Sequence, residues 1–155
     1  MLAIIPAKSI SQRLKNKNIK LLNGKPLIYY TIKQAKKSHY IKDIILSSDS
    51  KKILNIGKRY GVNITHLRPK KLASSKATLI DVSRHILKHV FKNSLKNLIV
   101  LQPTSPLRSF KDINNSIRLF KKTKADFVTT LTMAKPSSWY KKIHKKSILK
   151  NYVKP

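Results

Sequence analysis

The chain contains no cysteine and no glutamate, and its 155 residues include only three glycines and one tryptophan. Without cysteine there are no disulfides and no thiolate metal sites. No apolar run approaches the roughly 18 residues of a membrane span, so no membrane partner is expected. The opening MLAIIPAK is too short an apolar run for a signal peptide, and no charged segment precedes it. That points to a cytoplasmic chain. There is no GxxxxGK[ST] phosphate loop anywhere.

Acidic residues are the scarcest functional class. Asp43, Asp49, Asp81, Asp112 and Asp126 stand against 35 lysines and arginines, for a net charge of +30. A charge of that size attracts polyanions without regard to sequence, nucleic acid included. The lysines are nevertheless spread from Lys8 to Lys154, mostly as pairs between apolar residues, and aromatics are sparse. A dedicated nucleic-acid surface clusters charge and interleaves aromatics. Two readings stay open: nonspecific polyanion binding, or compositional drift toward Lys, Asn and Ile without selection for charge.

With 41% hydrophobic residues the chain can bury a core, and its length suits a single domain, 1–155. Strand-like runs alternate with helical ones. LAIIP, DIILSS (Asp43 to Ser48), VNITHL, NLIVLQ and DFVTTLTM read as strands, with NLIVLQ expected at the centre of the sheet. PLIYYTIKQAKKS reads as a helix with Pro26 in its first turn. SKKILNIGKRYG reads as a helix capped by Ser50 and stopped at Gly61. ATLIDVSRHILKHVFKN carries Leu79, Val82, Ile86, Leu87, Val90 and Phe91 on one stripe. FKDINNSIRLFKKTK is a further helix, and the tail from Lys135 has a weak pattern. This alternation predicts an α/β fold of three layers with a mainly parallel sheet. Ligands in such folds bind beyond the carboxyl ends of the strands. Three loops qualify: Ala7 to Asn18, Ser48 to Ser50, and Pro103 to Arg108.

In the first loop Lys8, Ser11, Arg13, Lys17 and Asn18 offer cations and neutral donors suited to phosphate. A solvated basic loop is the plainer alternative. In LQPTSPLR, Pro103 and Pro106 stiffen a turn that presents Gln102, Thr104, Ser105 and Arg108 to a carboxylate or a hydroxyl-rich ligand. In HLRPKKLASSKATLIDV, Arg68 lies in a loop, and Ser75 or Thr78 can cap the long helix, whose N-terminus is also an anion site. Asp81, His85 and His89 lie four apart. That spacing suits a metal, but a solvated polar stripe is the simpler reading. Asp49 sits at a strand end, where it is either a metal ligand or a cap for the helix at Ser50.

The segments IIPAKSISQRLKNKNIKLLNGKPLIYYTI, IILSSDS, RPKKLASSKAT and LQPTSPLR, in that order, resemble the acylneuraminate cytidylyltransferases. These are the CMP-sialic acid synthetases and their legionaminic and pseudaminic acid relatives. The likeness runs to about Ile143 and implies a Rossmann-like nucleotide-diphospho-sugar transferase fold. The implied reaction takes CTP and an acidic nine-carbon sugar to the CMP-sugar and pyrophosphate. Lys8, Arg13 and Lys17 would carry catalysis on the phosphates. Ser11, Asn18, Arg68 and Thr78 would hold the nucleotide, and Gln102, Thr104 and Ser105 the sugar. Trp139 and Tyr140 match a segment that approaches the sugar, with Lys141 or Lys142 near its carboxylate. The family implies Mg²⁺ with CTP and a homodimer. Its relatives continue past residue 155, and their magnesium-binding aspartates and dimer-packing extension are expected there. For this chain the metal would ride mainly on the triphosphate, and an inactive, shortened relative is the alternative. The chain also departs from the family pattern, with Lys8 where arginine is usual, Ile10 where a small residue is usual and Gln12 where lysine is usual. Lysine keeps the charge at position 8 but not the bidentate fork.

Overall fold

A computed structural model describes residues 1–9, 14–74, 76–92, 94 and 97–131, and the backbone of 141–143 and 149–151. The element order begins with β1 (Leu2–Pro6) and a 3-10 turn at Lys17–Ile19. A small hairpin of β2 (Leu21–Leu22) and β3 (Lys25–Pro26) follows, then α1 (Leu27–Lys37), β4 (Asp43–Ser48), α2 (Lys51–Arg59) and β5 (Ile64–Leu67). Next come α3 (Lys70–Ala73), α4 (Leu79–His89), β6 (Leu98–Val100) and α5 (Phe110–Thr123). A two-stranded antiparallel ladder, β7 (Lys141–Ile143) with β8 (Leu149–Asn151), lies in the tail.

The main sheet has the order β5-β4-β1-β6, with every pairing parallel. Alternation along β1 explains the layers. Ala3, Ile5 and Ala7 point into one core with Ile28, Ile32 and Ala35 of α1, Ile53 and Leu54 of α2, and Ile113 and Ile117 of α5. Leu2 and Ile4 point the other way, into a smaller core with Ile45 and with Val82 and Ile86 of α4. Period-two strands buried on both faces make the three-layer α/β fold.

Local chemistry sets the element ends. Asn23 and Gly24, both left-handed (φ 46 and 72), make the two-residue turn of the β2–β3 hairpin, as an Asn-Gly pair does. Ser50 caps α2 by accepting from the Ile53 amide, and Gly61 (φ 83) ends that segment as expected. Pro26 stands one residue before α1, in extended backbone, so α1 starts at Leu27. Thr78 with Asp81 and Ser109 with Asp112 form reciprocal capping boxes on α4 and α5.

Three expectations are corrected. NLIVLQ is an edge strand of the sheet formed by the described residues, paired only to β1 and half-buried. β1 and β4 take the centre instead. The described part of DFVTTLTM, to Leu131, is not a strand, and Phe127 is 76% exposed. A strand exists only with a ladder partner, and apolar β-branched composition does not supply one. On α4 only Val82 and Ile86 are fully buried, whereas Leu79 and Val90 are 40% and 38% exposed. A single helix over a twisted sheet buries the middle of its stripe and leaves the ends open.

Candidate functional site

Parallel pairing puts all four strand C-termini on one edge. In register, Pro6 of β1 lies beside Ser47 of β4, and Ser48 lies beside Leu67 of β5. Beyond that edge the loops enclose a cleft of about 200 Å³. Lys8, Lys17 and Asn18 reach it from the first loop, Arg68 from the end of β5, Thr78 from the start of α4, and Gln102 and Thr104 from the turn after β6. Seven of the ten residues singled out in the sequence therefore line one cleft. Ser105 does not line it. Its amide donates to the Gln102 carbonyl at 3.4 Å, within the turn. Ser11 and Arg13 lie outside the described residues, as do Ile10, Gln12, Ser75, Trp139, Tyr140 and the side chains of Lys141 and Lys142.

Several cleft residues are also structural. Asn18 is buried in the 3-10 turn and donates from Nδ2 to the Lys8 carbonyl at 2.8 Å. Thr78 Oγ1 donates to the Asp81 carboxylate at 2.7 Å and accepts the Asp81 amide at 3.1 Å. Those bonds from the Thr78 hydroxyl and amide, with the charge of Arg84, hold the Asp81 carboxyl below its ordinary value. Arg108 does not line the cleft. Its Nη2 donates to the Gln102 carbonyl at 3.1 Å and so closes the turn that presents Gln102. Burial lowers the Arg108 pKa, opposed by Asp112.

Arg68 is the most buried cation of the cleft, 7% exposed. It donates from Nε to Ser47 Oγ at 3.3 Å, from Nη2 to the Ser47 carbonyl at 3.1 Å, and from Nη1 to the Leu72 carbonyl at 3.4 Å. Burial lowers its pKa and the Asp49 charge opposes that. Arg68 can only donate, so Ser47 Oγ accepts from it, and the same hydroxyl hydrogen-bonds His66 Nδ1 at 3.0 Å. Burial, followed by the charges of His85, Arg68 and His89, pushes the His66 pKa down to about 4. Behind it the rings of His66, His85 and His89 lie in a row, tilted against one another, with centroids 5.1 and 4.3 Å apart. His85 therefore does not belong to a solvated stripe. Burial, then His89, lowers its pKa, and its Nδ1 is buried without a partner.

Asp49 corrects a second expectation. It does not cap α2, since Ser50 does. Its carboxylate instead accepts from the Ser9 amide at 2.7 Å and the Ser9 hydroxyl at 2.6 Å, forty residues back in the first loop. Burial would raise this carboxyl. The two Ser9 hydrogen bonds, its own amide and the Arg68 charge more than offset that and hold it below its ordinary value. Neither Ser9 nor the Ser47–His66 pair was visible as a site in the sequence, because serines at strand ends are commonplace. Only the pairing of β1 with β4 and of β4 with β5 joins them.

A cleft of cations and neutral donors beyond the ends of parallel strands is a site for a phosphorylated ligand. A family model described as cytidylyltransferase matches residues 2–152. The chain belongs to the cytidylyltransferase family. Among similar proteins, the CMP-N,N'-diacetyllegionaminic acid synthase of Legionella pneumophila is 34% identical over 160 aligned positions. That alignment covers 100% of this chain and 66% of the relative. The N-acylneuraminate cytidylyltransferase of Escherichia coli O18:K1:H7 is 36% identical over 121 residues, covering 78% of this chain and 28% of that one. A CMP:2-keto-3-deoxy-manno-octonic acid synthetase complexed with CTP superposes with a TM-score of 0.67 at 17% identity. It covers 80% of this cytidylyltransferase chain and 48% of the neighbour, which supports the Rossmann-like α/β fold. The chain thus spans less than two thirds of the length of each of these relatives.

The donor set also bears on the magnesium that the family implies. No carboxylate lines the cleft, and both Asp49 oxygens are taken by Ser9. Among the described residues no three His, Asp, Glu or Cys side chains are grouped to hold a metal ion, the histidine row included. Magnesium is a hard cation that takes carboxylate, phosphate and water oxygens. The described residues do not fit a protein-held Mg²⁺, and no step here runs through one. No helix among the described residues is long and apolar enough to cross a membrane.

Proposed function

We propose that this cytidylyltransferase chain binds CTP and moves CMP to a nonulosonic, sialic-type acid, releasing pyrophosphate. The observation that carries this reading is the cleft itself: Lys8, Lys17 and Arg68 face Gln102 and Thr104 across one opening at the sheet edge, within a family defined by cytidylyl transfer. The Legionella relative is a CMP-N,N'-diacetyllegionaminic acid synthase and the Escherichia one an N-acylneuraminate cytidylyltransferase, which supports a nonulosonic acid as the acceptor. In the reaction the anomeric hydroxyl of the sugar forms a bond to the α-phosphorus. The bond from that phosphorus to the oxygen bridging toward the β-phosphate breaks, and the hydroxyl proton leaves to solvent or to pyrophosphate.

The catalysis is positional and electrostatic. Charge moves toward the leaving pyrophosphate, so ammonium groups fixed beside the phosphates stabilise the transition state more than the ground state. Lys8 and Lys17 take that role, with Arg13 of the same loop. Ser11 and Asn18 donate to the nucleotide, and Thr78 stands at the helix N-terminus, where the dipole favours an anion. Gln102 and Thr104 orient the sugar for in-line attack, and Ser105 supports the turn that presents them. A homodimer and a Mg²⁺ carried by the triphosphate complete the reading.

The test is binding of CTP against UTP and ATP, at low and at physiological salt, in the presence of Mg²⁺. A preference for CTP that survives physiological salt is expected, followed by turnover with sialic, legionaminic or pseudaminic acid. Equal affinity for the three nucleotides, collapsing with salt, would instead mean that the +30 net charge acts alone as a polyanion attractant.

A further inference from the structure

The first loop contains no glycine between Ala7 and Asn18, so its backbone has little freedom to wrap a phosphate. One peptide unit in it is nevertheless held from both sides. The carbonyl of the Lys8–Ser9 peptide accepts from Asn18 Nδ2 at 2.8 Å, and its N–H donates to Asp49 Oδ1 at 2.7 Å. The Ser9 hydroxyl adds a second bond to Asp49 at 2.6 Å. One residue earlier the Ala7 amide is tied to the Ser47 carbonyl of β4 at 2.9 Å. The Ser9 amide therefore faces a carboxylate and is not offered to a ligand, so Lys8 meets the cleft through its side chain from a fixed plane.

We propose that Asp49 is a positioning residue for phosphate binding: by clasping the Ser9 amide and hydroxyl it fixes the Lys8–Ser9 peptide, and with it Lys8, toward the triphosphate. This rests on the CTP reading above. Bonds from two donors to one carboxylate are charge-assisted and geometrically specific, which suits them to locking a peptide plane. The carboxylate has a cost, because a negative group near a phosphate site repels the ligand. Arg68, whose charge acts on Asp49, offsets part of it. The two possible roles of Asp49 thus have opposite signs. If it acted only as a charge, removing it would tighten CTP binding. As a clasp, removing it weakens binding.

The experiment is a double-mutant cycle of Asp49→Ala with Lys8→Ala, read by CTP titration of the full chain, together with amide exchange at Ser9 without ligand. Asp49→Ala is expected to weaken CTP binding by roughly tenfold in the wild-type background, the scale of a lost charge-assisted bond. In the Lys8→Ala background the same change should cost about twofold at most, since no ammonium is left to position. Asp49→Asn, which keeps one acceptor, should fall between. The Ser9 amide should be protected in the wild type and exposed in Asp49→Ala. Should Asp49→Ala fail to fold, Ser9→Ala removes the hydroxyl arm alone, with an expected loss of about threefold that vanishes without Lys8. Additive losses, tighter CTP binding by Asp49→Ala, or a Ser9 amide that exchanges freely in the wild type each overturn the clasp. A wild-type chain that protects Ser9 yet does not bind CTP fails differently: it overturns the CTP reading, and the positioning role falls with it.

Discussion

Lowering the pH from 7 to 4.5 should destabilise the fold through one buried histidine. His66 is neutral in the native state because burial and the charges of His85, Arg68 and His89 oppose a positive ring. Its pKa is about 4, against an ordinary value of 6.5. Between those two values the unfolded chain takes up a proton that the native state refuses. The stability His66 contributes is therefore full above 6.5 and is lost as pH falls toward 4. At about 1.4 kcal/mol for each tenfold in proton affinity, the loss approaches about 3 kcal/mol, a large share of a small domain's stability. His85, whose pKa is also lowered, adds in the same direction. The carboxyls of Asp49, Asp81 and Asp112 are held below their ordinary 3.8, so their contributions are lost only at still lower pH and leave this window to the histidines. The assay is urea unfolding at pH 7, 6, 5 and 4.5, for the wild type and for His66→Asn. With a denaturant slope of about 1–3 kcal/mol/M, the wild-type midpoint should fall by roughly 1 M or more, while the His66→Asn midpoint falls much less. Midpoints that fall in parallel would refute the assignment of His66 as a buried, neutral ring.

Two further outcomes are expected. Arg68→Met keeps most of the volume but leaves the Ser47 and Leu72 carbonyls without their donor, so stability should fall by about 1–3 kcal/mol while CTP binding weakens roughly tenfold or more; an unchanged CTP affinity in titration beside a lowered urea midpoint would make Arg68 a structural residue only. Gly57→Ala should destabilise by about 1–3 kcal/mol despite the better helix propensity of alanine, because a Cβ there falls on the Leu46 side chain, which is fully buried and has nowhere to go; urea unfolding that shows a gain would mean α2 stands further from β4.

The periodicity of this chain was readable because it is a burial pattern written locally. LAIIP, DIILSS and the stripes of α1, α2 and α5 each announce their own faces, and the capping boxes at Thr78 and Ser109 mark helix starts within four residues. The rule that α/β folds bind ligands beyond strand ends points to the first loop, with Lys8, Lys17 and Asn18, and to the LQPTSPLR turn, with Gln102 and Thr104, whereas only the family resemblance placed Arg68 and Thr78 beside them. NLIVLQ misled because an apolar run reports burial and not its place in the strand order. DFVTTLTM misled because composition alone does not provide a ladder partner.

The sequence by itself determined an α/β chain with a cationic, glycine-free first loop and a proline-stiffened turn after β6, since propensity, capping and side-chain chemistry are properties of neighbours in the chain. Tertiary structure alone decided what those residues do to one another. Asp49 reaches Ser9 across forty residues, and Ser47 joins His66 to Arg68 across about twenty, because parallel pairing of β1, β4 and β5 brings their ends together. Hydrogen bonds act over about 3 Å in space regardless of separation along the chain, so no local pattern encodes them.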